Sequence, residues 1–236
     1  YYSLAANQNH AKAQFNLGLL YKEGELISRN MNKSIYYYSL AANQNDSDAQ
    51  NNLGVLYEEG ELIPRDMNKS IYYYSLAANQ NHAKAQFNLG LLYEEGELIP
   101  RDINKSIHYY SLSANQNDSD AQFNLGVLYE KGELIPQDMN KSIHYYSLAA
   151  NQNDADAQFN LGLLYKEGKL IPRDMNKSIY YYSLAANQNH AKAQFNLGVL
   201  YEKGELIPRD MNKSIYYYSL AANQNYAEAQ FNLGLL

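Results

Sequence analysis

The sequence contains no cysteine and no tryptophan. Without cysteine the chain forms no disulfide, which fits a reducing compartment and slightly favours the cytoplasm. This support is weak, because a repeat copied from a cysteine-free ancestor lacks cysteine in any compartment. The absence therefore excludes a disulfide-stapled fold and leaves the compartment unknown.

The sequence also lacks long apolar runs and blocks of basic residues. No stretch approaches the roughly 18 consecutive apolar residues that cross a bilayer. The formal net charge is −6, and lysine and arginine are spread through the chain. A nucleic-acid-binding surface needs clustered positive charge. We therefore expect no membrane insertion by this segment and no nucleic-acid partner.

What the sequence has is one segment repeated every 36 residues. The segment AKAQFNLGLLYKEGELI begins at Ala11, and close copies begin at Ser47, Ala83, Ser119, Ala155 and Ala191. A period of roughly 20 to 50 residues is typical of a solenoid, in which each unit buries its apolar face only against its neighbours. Both ends fall inside the repeat, since Tyr1 aligns with Tyr37 and the C-terminal residue aligns with Leu20. We expect one repeat array over residues 1–236, truncated within a repeat at both ends.

The pattern within one repeat predicts two α-helices and no β-strand. Helix A covers Ala11–Glu23 and its copies, near Ala83–Glu95 in the third repeat. Helix B follows an aspartate N-cap and lies near Asp102–Asn115 in the third repeat. Residues at spacings of three and four form the apolar face of each helix. These residues are Ala13, Gln14, Leu17, Leu20 and Tyr21 on helix A, and Met31, Ser34, Ile35, Tyr38, Ala41 and Ala42 on helix B.

Glycine and proline recur at fixed positions of the repeat. Gly18 lies inside helix A, where glycine costs about 1 kcal/mol relative to alanine, so we expect the second helix to approach closely there. Gly24 follows the last tyrosine of helix A at the position of a left-handed C-cap. Pro64 and its copies lie in the link between the helices, where they exclude a continued helix.

Three motifs recur along the chain: AxAQFNLGxLYxxG, Pro-x-Asp and KSIxYYSLAA. Together they resemble the Sel1-like repeat, a relative of the tetratricopeptide repeat with a longer link between its helices. The resemblance covers the whole chain and implies an all-α fold, a right-handed α/α superhelical solenoid of 36-residue helix-turn-helix repeats. It also implies that helix A lines the concave wall, and that the protein is an adaptor or scaffold with a protein or peptide partner.

The side of helix A opposite its core carries apolar residues where a solvated face is normally polar. Phe15 and Leu19 lie there, four residues apart. Either they pack against the neighbouring repeat, or they line an exposed groove that binds a peptide or helix. Asn51 replaces phenylalanine in the second repeat, which favours exposure, because a phenylalanine that buries about 150 Å² is costly to lose. The candidate protein-binding residues are Phe15, Leu19, Phe87, Asn88, Leu91, Phe123, Asn124, Val127, Phe159, Asn160, Leu163, Phe195 and Val199.

The ionisable residues show no catalytic or metal-binding arrangement. Residues at the start of helix A alternate in charge, from Lys12 to Asp48, and we interpret them as ion pairs that help to set the register between repeats. His108 and His144 occupy equivalent positions on the outer face of helix B without a third ligand, so we expect no metal. No Ser/His/Asp arrangement or phosphate loop is present, and we expect neither an enzyme nor a cofactor.

The sequence leaves three functions open. The leading hypothesis is a non-catalytic scaffold that binds a segment of a partner on its concave face. The first alternative is a structural spacer, which the near-identity of the repeats favours slightly. The second is a regulatory module attached to an enzyme that lies outside this fragment. The identity of the partner cannot be read from these residues.

Overall fold

The computed structural model describes residues 1–60, 63–97, 99–169, 171–204 and 207–236. In these residues the chain forms fourteen α-helices and no β-strand. The helices are α1 (Tyr2–Asn7), α2 (Ala11–Glu23), α3 (Met31–Ala42), α4 (Ser47–Glu59), α5 (Met67–Asn79), α6 (Ala83–Glu95), α7 (Ile103–Ala114), α8 (Ser119–Lys131), α9 (Met139–Asn151), α10 (Ala155–Glu167), α11 (Met175–Asn187), α12 (Ala191–Lys203), α13 (Met211–Ala222) and α14 (Ala227–Leu235). The all-α, 36-residue repeat is therefore confirmed.

The even-numbered helices correspond to helix A and the odd-numbered helices to helix B. The predicted helix A of the third repeat matches α6, and the predicted helix B matches α7 with Asp102 and Asn115 as its caps. The chain divides into two compact units, Tyr1–Ala121 and Gln122–Leu236. In the first unit each helix from α1 to α6 packs against the helix that follows it, and in the second unit each helix from α9 to α13 does the same. A single array over residues 1–236 stays a prediction.

Side-chain and glycine caps define where the helices begin and end. Asp66 accepts a hydrogen bond from the backbone N–H of Lys69 at 3.1 Å, as predicted for the N-cap of helix B. Gly24 has a φ of 76° and closes helix A in the left-handed conformation, also as predicted. Asn9 and its copies have positive φ in the short turns that lead back to helix A. His10 is the N-cap of the first helix A, and its Nδ1 accepts a hydrogen bond from the N–H of Ala13 at 3.2 Å.

A buried tyrosine explains the recurring glycine of helix A. A Cβ on Gly18 would lie 2.5 Å from Cδ1 of Tyr38, which is fully buried on helix B. Ser34 donates a hydrogen bond to the carbonyl oxygen of Gly18 at 2.8 Å. The predicted close approach of the two helices is therefore confirmed, and an aromatic ring fills the space that the glycine leaves. The same glycine and tyrosine are in contact in all six repeats.

Buried glutamines tie successive helices together. Gln14 is 2% exposed, and its Nε2 donates to the carbonyl oxygen of Ala6 on the preceding helix B at 3.2 Å. Its Oε1 accepts from Nε2 of Gln44, which follows the next helix B, at 2.6 Å. A buried amide needs partners of this kind, because an unpaired one costs about 1–3 kcal/mol. The glutamine that helix A carries on its apolar face thus joins three helices.

Candidate functional site

We define the Phe face as the side of helix A that carries Phe15, Leu19 and Lys22 in the first repeat, together with the equivalent residues of the other repeats. These residues share a side because their spacings of four and three residues match the helical period. In the first repeat the ammonium of Lys12, one turn before the phenylalanine, lies 4.4 Å from the ring centroid of Phe15. On this face of the first helix A, a charged residue therefore lies at each end of an apolar pair.

Five of the six phenylalanines of this face are half-buried, and the sixth, Phe231 on the last helix, is 67% exposed. Phe15, Phe87, Phe123, Phe159 and Phe195 each have intermediate exposure. Each ring packs at a tilt against the buried tyrosine of its own repeat, with ring centroids 5.7 Å apart. One edge of each ring therefore belongs to the core and another part is accessible. The sequence left open whether these rings pack against neighbours or line an exposed groove. In the structure one part of each ring packs against the tyrosine and another part is exposed.

The aliphatic residues that lie four positions after the phenylalanines are also half-buried, whereas Asn51 is buried although we expected it to be exposed. Leu19, Leu91, Val127, Leu163 and Val199 are half-buried. Asn51 is only 8% exposed. The expectation that the site at this position faces solvent is therefore wrong for the second repeat. Its Oδ1 accepts a hydrogen bond from Nδ2 of Asn88 at 3.3 Å, which places the small polar side chain between two helices.

The asparagines of the Phe face are engaged within the protein. Asn88 contacts Asn51, and Asn160 donates from Nδ2 to the hydroxyl of Tyr146 at 3.2 Å. Asn124 also has an interaction with another residue. The sequence analysis placed Asn88, Asn124 and Asn160 in the protein-binding groove. In the structure, Asn88 and Asn160 form hydrogen bonds within the protein.

A glutamate–tyrosine hydrogen bond lies beneath the Phe face, and the sequence analysis missed it. The hydroxyl of Tyr146 donates to Oε2 of Glu130 at 2.6 Å. The same bond joins Tyr74 to Glu58, Tyr110 to Glu94 and Tyr218 to Glu202. Burial, followed by the adjacent carboxylate, holds the pKa of Tyr146 well above its usual range. A constant spacing of sixteen residues between the two side chains was the signal available in the sequence.

Two repeats carry lysine in place of that glutamate. Lys22 and Lys166 occupy the position, and among the described residues the buried hydroxyls of Tyr38 and Tyr182 have no hydrogen-bond partner. In the fifth repeat, Nζ of Lys166 donates instead to Oδ1 of Asn196 at 3.0 Å. Burial raises the pKa of Tyr38 to about 12. The repeats are therefore nearly identical in sequence but differ in charge at one place on the Phe face.

Some of the alternating charged residues at the start of the A helices form ion pairs between neighbouring repeats. Lys12 pairs with Asp48 at 2.7 Å, and Lys84 pairs with Asp120 at 3.4 Å, so the predicted ion pairs between neighbouring repeats are present. The Lys12 ammonium, which donates a hydrogen bond to the carboxylate, lowers the pKa of Asp48. His82 adds a second contact to Asp48, with Nε2 3.2 Å from Oδ1. Because its Nδ1 accepts the backbone N–H of Ala85, Nε2 carries the ring proton.

The exposed side of helix B carries tyrosine rings. Tyr36 is 58% exposed and meets Tyr37 edge to face, while Tyr37 stacks on Tyr21 with centroids 5.8 Å apart. His108 and His144 occupy the Tyr36 position in two repeats and are exposed. In the described parts of the chain, no three histidine or acidic side chains lie close enough to hold a metal ion. No described helix is both long and apolar enough to span a bilayer.

Comparison with known proteins identifies similar chains. The family model of the Sel1 repeat matches residues 11–46, 47–82, 83–118, 119–154, 155–190 and 191–226. A Sel1 repeat protein from Oxalobacter formigenes is 30% identical with a TM-score of 0.79, over 92% of this chain and 89% of that one. A search of curated proteins found no match.

Two more distant solved structures share the fold. A protective antigen of uropathogenic Escherichia coli with an SLR fold is 28% identical with a TM-score of 0.53, and the match covers 99% of this chain and 58% of that one. An immunity protein from Pseudomonas aeruginosa is 21% identical with a TM-score of 0.51, over 90% of this chain and 81% of that one. The second likeness concerns the fold alone.

Proposed function

Because this chain belongs to the Sel1 repeat family, whose members are generally protein-interaction scaffolds, we propose that it is a non-catalytic scaffold that binds a segment of a partner protein on its Phe face. The family is generally non-catalytic. In each of the two units, every complete helix A except that of the second repeat offers the partner a half-buried aromatic ring, an aliphatic neighbour and a charged residue at each end.

The observation that carries the proposal is the recurrence of the half-buried phenylalanines. A ring that is partly in the core is held in one orientation, so little conformational entropy remains to be lost when a partner covers its accessible part. Aromatic residues of this kind are enriched among those that dominate binding energy. The charged residues beside each ring supply register and selectivity. The proposed contact residues are the set named from the sequence, with phenylalanine as the anchor.

The test is the substitution Phe123→Ala, with Tyr180→Ala as the matched control. Both residues lie in the second unit, and the tyrosine is 58% exposed on helix B, away from the Phe face. The first partner to use is the protein recovered with the intact chain and identified by mass spectrometry. Its affinity for the purified variants is measured by titration calorimetry, beside a thermal melt of each variant.

We expect Phe123→Ala to weaken binding by about tenfold or more and to destabilise the fold by less than the roughly 3–5 kcal/mol of a fully buried phenylalanine. Tyr180→Ala should leave both quantities nearly unchanged. Normal binding by a folded Phe123→Ala variant would contradict the proposal and favour a structural spacer. If the chain is instead a regulatory module attached to an enzyme, the Phe face would bind a segment of that same polypeptide.

A further inference from the structure

In the first repeat, a lysine ammonium of the Phe face lies between an aromatic ring and a carboxylate. Nζ of Lys12 is 4.4 Å from the ring centroid of Phe15 and 2.7 Å from Oδ2 of Asp48, which lies at the start of helix A in the next repeat. A ring face and a carboxylate both attract a cation. The hydrogen bond to Asp48 accordingly raises the pKa of Lys12. We call this space, between the phenylalanine of one repeat and the acidic residue of the next, the ammonium slot.

The third repeat has the same arrangement, formed by Lys84, Phe87 and Asp120. Nζ of Lys84 lies 5.9 Å from the centroid of the Phe87 ring and 3.4 Å from Oδ2 of Asp120. The ammonium slot is therefore a recurring feature of the Phe face. In both repeats a lysine of the chain itself occupies it.

The fourth repeat has the ring and the carboxylate of the slot but no lysine of its own. Phe123 and Asp156 stand at the equivalent positions, whereas the residue at the lysine position is Asp120. Among the complete repeats, only the fourth combines a phenylalanine with an acidic residue in the next repeat and lacks the lysine. The alternation of charge from repeat to repeat is interrupted here, because Asp120 and Asp156 are both acidic.

Packing holds Phe123 against the start of the next helix A. The ring packs against a buried cluster that includes Ala157, which directly follows Asp156. In the first repeat, Phe15 packs in the same way against a cluster that includes Ala49. Phe123 and Asp156 both lie within the second compact unit. The same packing therefore supports the two sides of the slot in the first and fourth repeats.

The carboxylate of Asp156 makes one contact fewer than that of Asp48. Asp48 uses both oxygens, since Oδ2 accepts from Lys12 at 2.7 Å and Oδ1 lies 3.2 Å from Nε2 of His82. Asp156 keeps only the histidine contact, with Oδ1 3.1 Å from Nε2 of His190. In the described part of the chain no lysine or arginine pairs with Asp156, and its side chain is 73% exposed against 48% for Asp48. The second oxygen of Asp156 is therefore accessible to a cation from another molecule.

The ring of Phe123 is also less covered than the other half-buried phenylalanines. His190 stacks on Phe159 with centroids 4.8 Å apart, and Tyr226 lies 5.2 Å from Phe195. Among the described residues, Phe123 contacts no aromatic ring except the buried tyrosine of its own repeat, and no lysine or arginine lies over it. The residues outside the described part of the chain are glutamates and leucines, so they add no cation.

We propose that the ammonium slot of the fourth repeat binds the cationic head of a lysine or arginine side chain in the partner segment. The ring of Phe123 faces the cation, and Oδ2 of Asp156 pairs with its charge, as Phe15 and Asp48 do with Lys12 in the first repeat. This inference rests on the proposed scaffold function and makes it more specific. The Phe face supplies apolar anchors, and this slot selects partner segments that carry a basic residue at one position.

The test uses the whole chain and a random peptide display library. We expect the selected peptides to carry a lysine or arginine at one fixed position. Replacing that lysine by norleucine, or that arginine by citrulline, removes the charge and should lower the affinity of the best synthetic peptide about fivefold or more, measured by fluorescence polarisation. Because the net charge of −6 attracts any basic peptide, variants of the protein provide the decisive comparison.

The first matched pair of variants is Asp156→Asn and Asp48→Asn. Both remove one negative charge from equivalent positions, and both alter a contact with a histidine, so non-specific electrostatics change in parallel. Only the slot at Asp48 already holds a lysine of the chain. We expect Asp156→Asn to weaken binding of the basic peptide about fivefold or more, and Asp48→Asn to change it less than about twofold.

The second pair is Asp120→Lys and Glu228→Lys, which change the net charge equally. Asp120→Lys gives the fourth repeat the lysine that the first and third repeats have, so the chain fills its own slot. Glu228→Lys lies on the last helix, away from Phe123. We expect Asp120→Lys to weaken binding of the basic peptide about fivefold or more, and Glu228→Lys to weaken it less than about twofold.

Equal effects within either pair, or selected peptides without a basic preference, would overturn the proposed slot. If such peptides still lose affinity on Phe123→Ala, the Phe-face proposal stands without it. If the library yields no binding peptide, both the slot and the peptide-binding form of the scaffold proposal are contradicted. Folding of each variant is checked by circular dichroism, so a loss of binding cannot be confused with unfolding.

Discussion

At the scale of single residues, the structure of each repeat depends on a contact between a glycine and a tyrosine ring. The helix tolerates glycine there although alanine is the better helix former, because a Cβ would overlap the buried ring. Sequence alone predicts that a second helix approaches at this glycine. It does not predict which side chain fills the space, because the choice among Ser34, Tyr38 and Ala41 depends on how the two helices are rotated.

The substitution Gly90→Leu tests this contact. A Cβ at this position would lie 2.5 Å from Cδ1 of Tyr110, so we expect a loss of about 1–3 kcal/mol in the free energy of unfolding through overpacking. The control is Gly234→Leu, since among the described residues nothing beyond the adjacent backbone of its own helix lies within 4 Å of a Cβ there. Urea denaturation should show lower stability for the first variant only. Equal stability of the two variants would show that the ring does not constrain the glycine.

The tyrosine hydroxyls give a second prediction at this scale. Tyr146→Phe removes the donor to Glu130 and should cost about 1–3 kcal/mol, because the partly buried carboxylate loses its partner. Tyr182→Phe removes a buried hydroxyl that has no partner among the described residues and should leave stability unchanged or raise it. Thermal melts of the two variants, which remove the same atom from equivalent positions, make the comparison. A larger loss of stability for Tyr182→Phe than for Tyr146→Phe would contradict the hydrogen bonding described for the two tyrosines.

At the scale of the helices, the sequence predicted much more of the fold than of the site. Helical periodicity, aspartate caps and the glycine C-cap placed the ends of α6 and α7 within a residue of those observed. The burial of Asn51 was not predictable, because it depends on a contact with Asn88 in the next repeat. The engagement of the asparagines on the Phe face escaped prediction for the same reason. Local patterns specify helices, whereas contacts between helices depend on how they are oriented.

The ion pair between neighbouring A helices predicts a dependence of stability on pH. The pKa of Asp48 is lowered in the folded chain, first by the hydrogen bond from Lys12. The stability that the ionised Asp48 adds to the folded chain is therefore fully present above the unfolded-state pKa of about 4. This stability is lost as the pH falls through the lower folded-state pKa. We expect Asp48→Asn to lower the melting temperature slightly at pH 7. The difference from wild type should shrink towards pH 2, and a difference that grows on acidification would contradict this.

At the scale of the whole molecule, near-identical repeats produce two compact units that share most of their internal contacts. Under the proposed scaffold function, selectivity depends on where the copies differ. The fold repeats because each helix pair buries the same residues. A binding surface that reads one partner segment needs differences between repeats, and the structure has them at Asn51, Lys22 and Lys166 on the Phe face. The sequence shows these substitutions, and their spacing places them on one side of helix A, but only the packing shows which contacts they change.

The measurement that tests the central claim most directly is photo-crosslinking from the two faces. The photoreactive residue p-benzoylphenylalanine is placed at Phe123 on the Phe face, or at Tyr180 on the exposed side of helix B, and each variant is irradiated with the identified partner. The account predicts that Phe123 crosslinks to one segment of the partner and that Tyr180 gives none. Crosslinks from Tyr180 together with none from a folded Phe123 variant would contradict it.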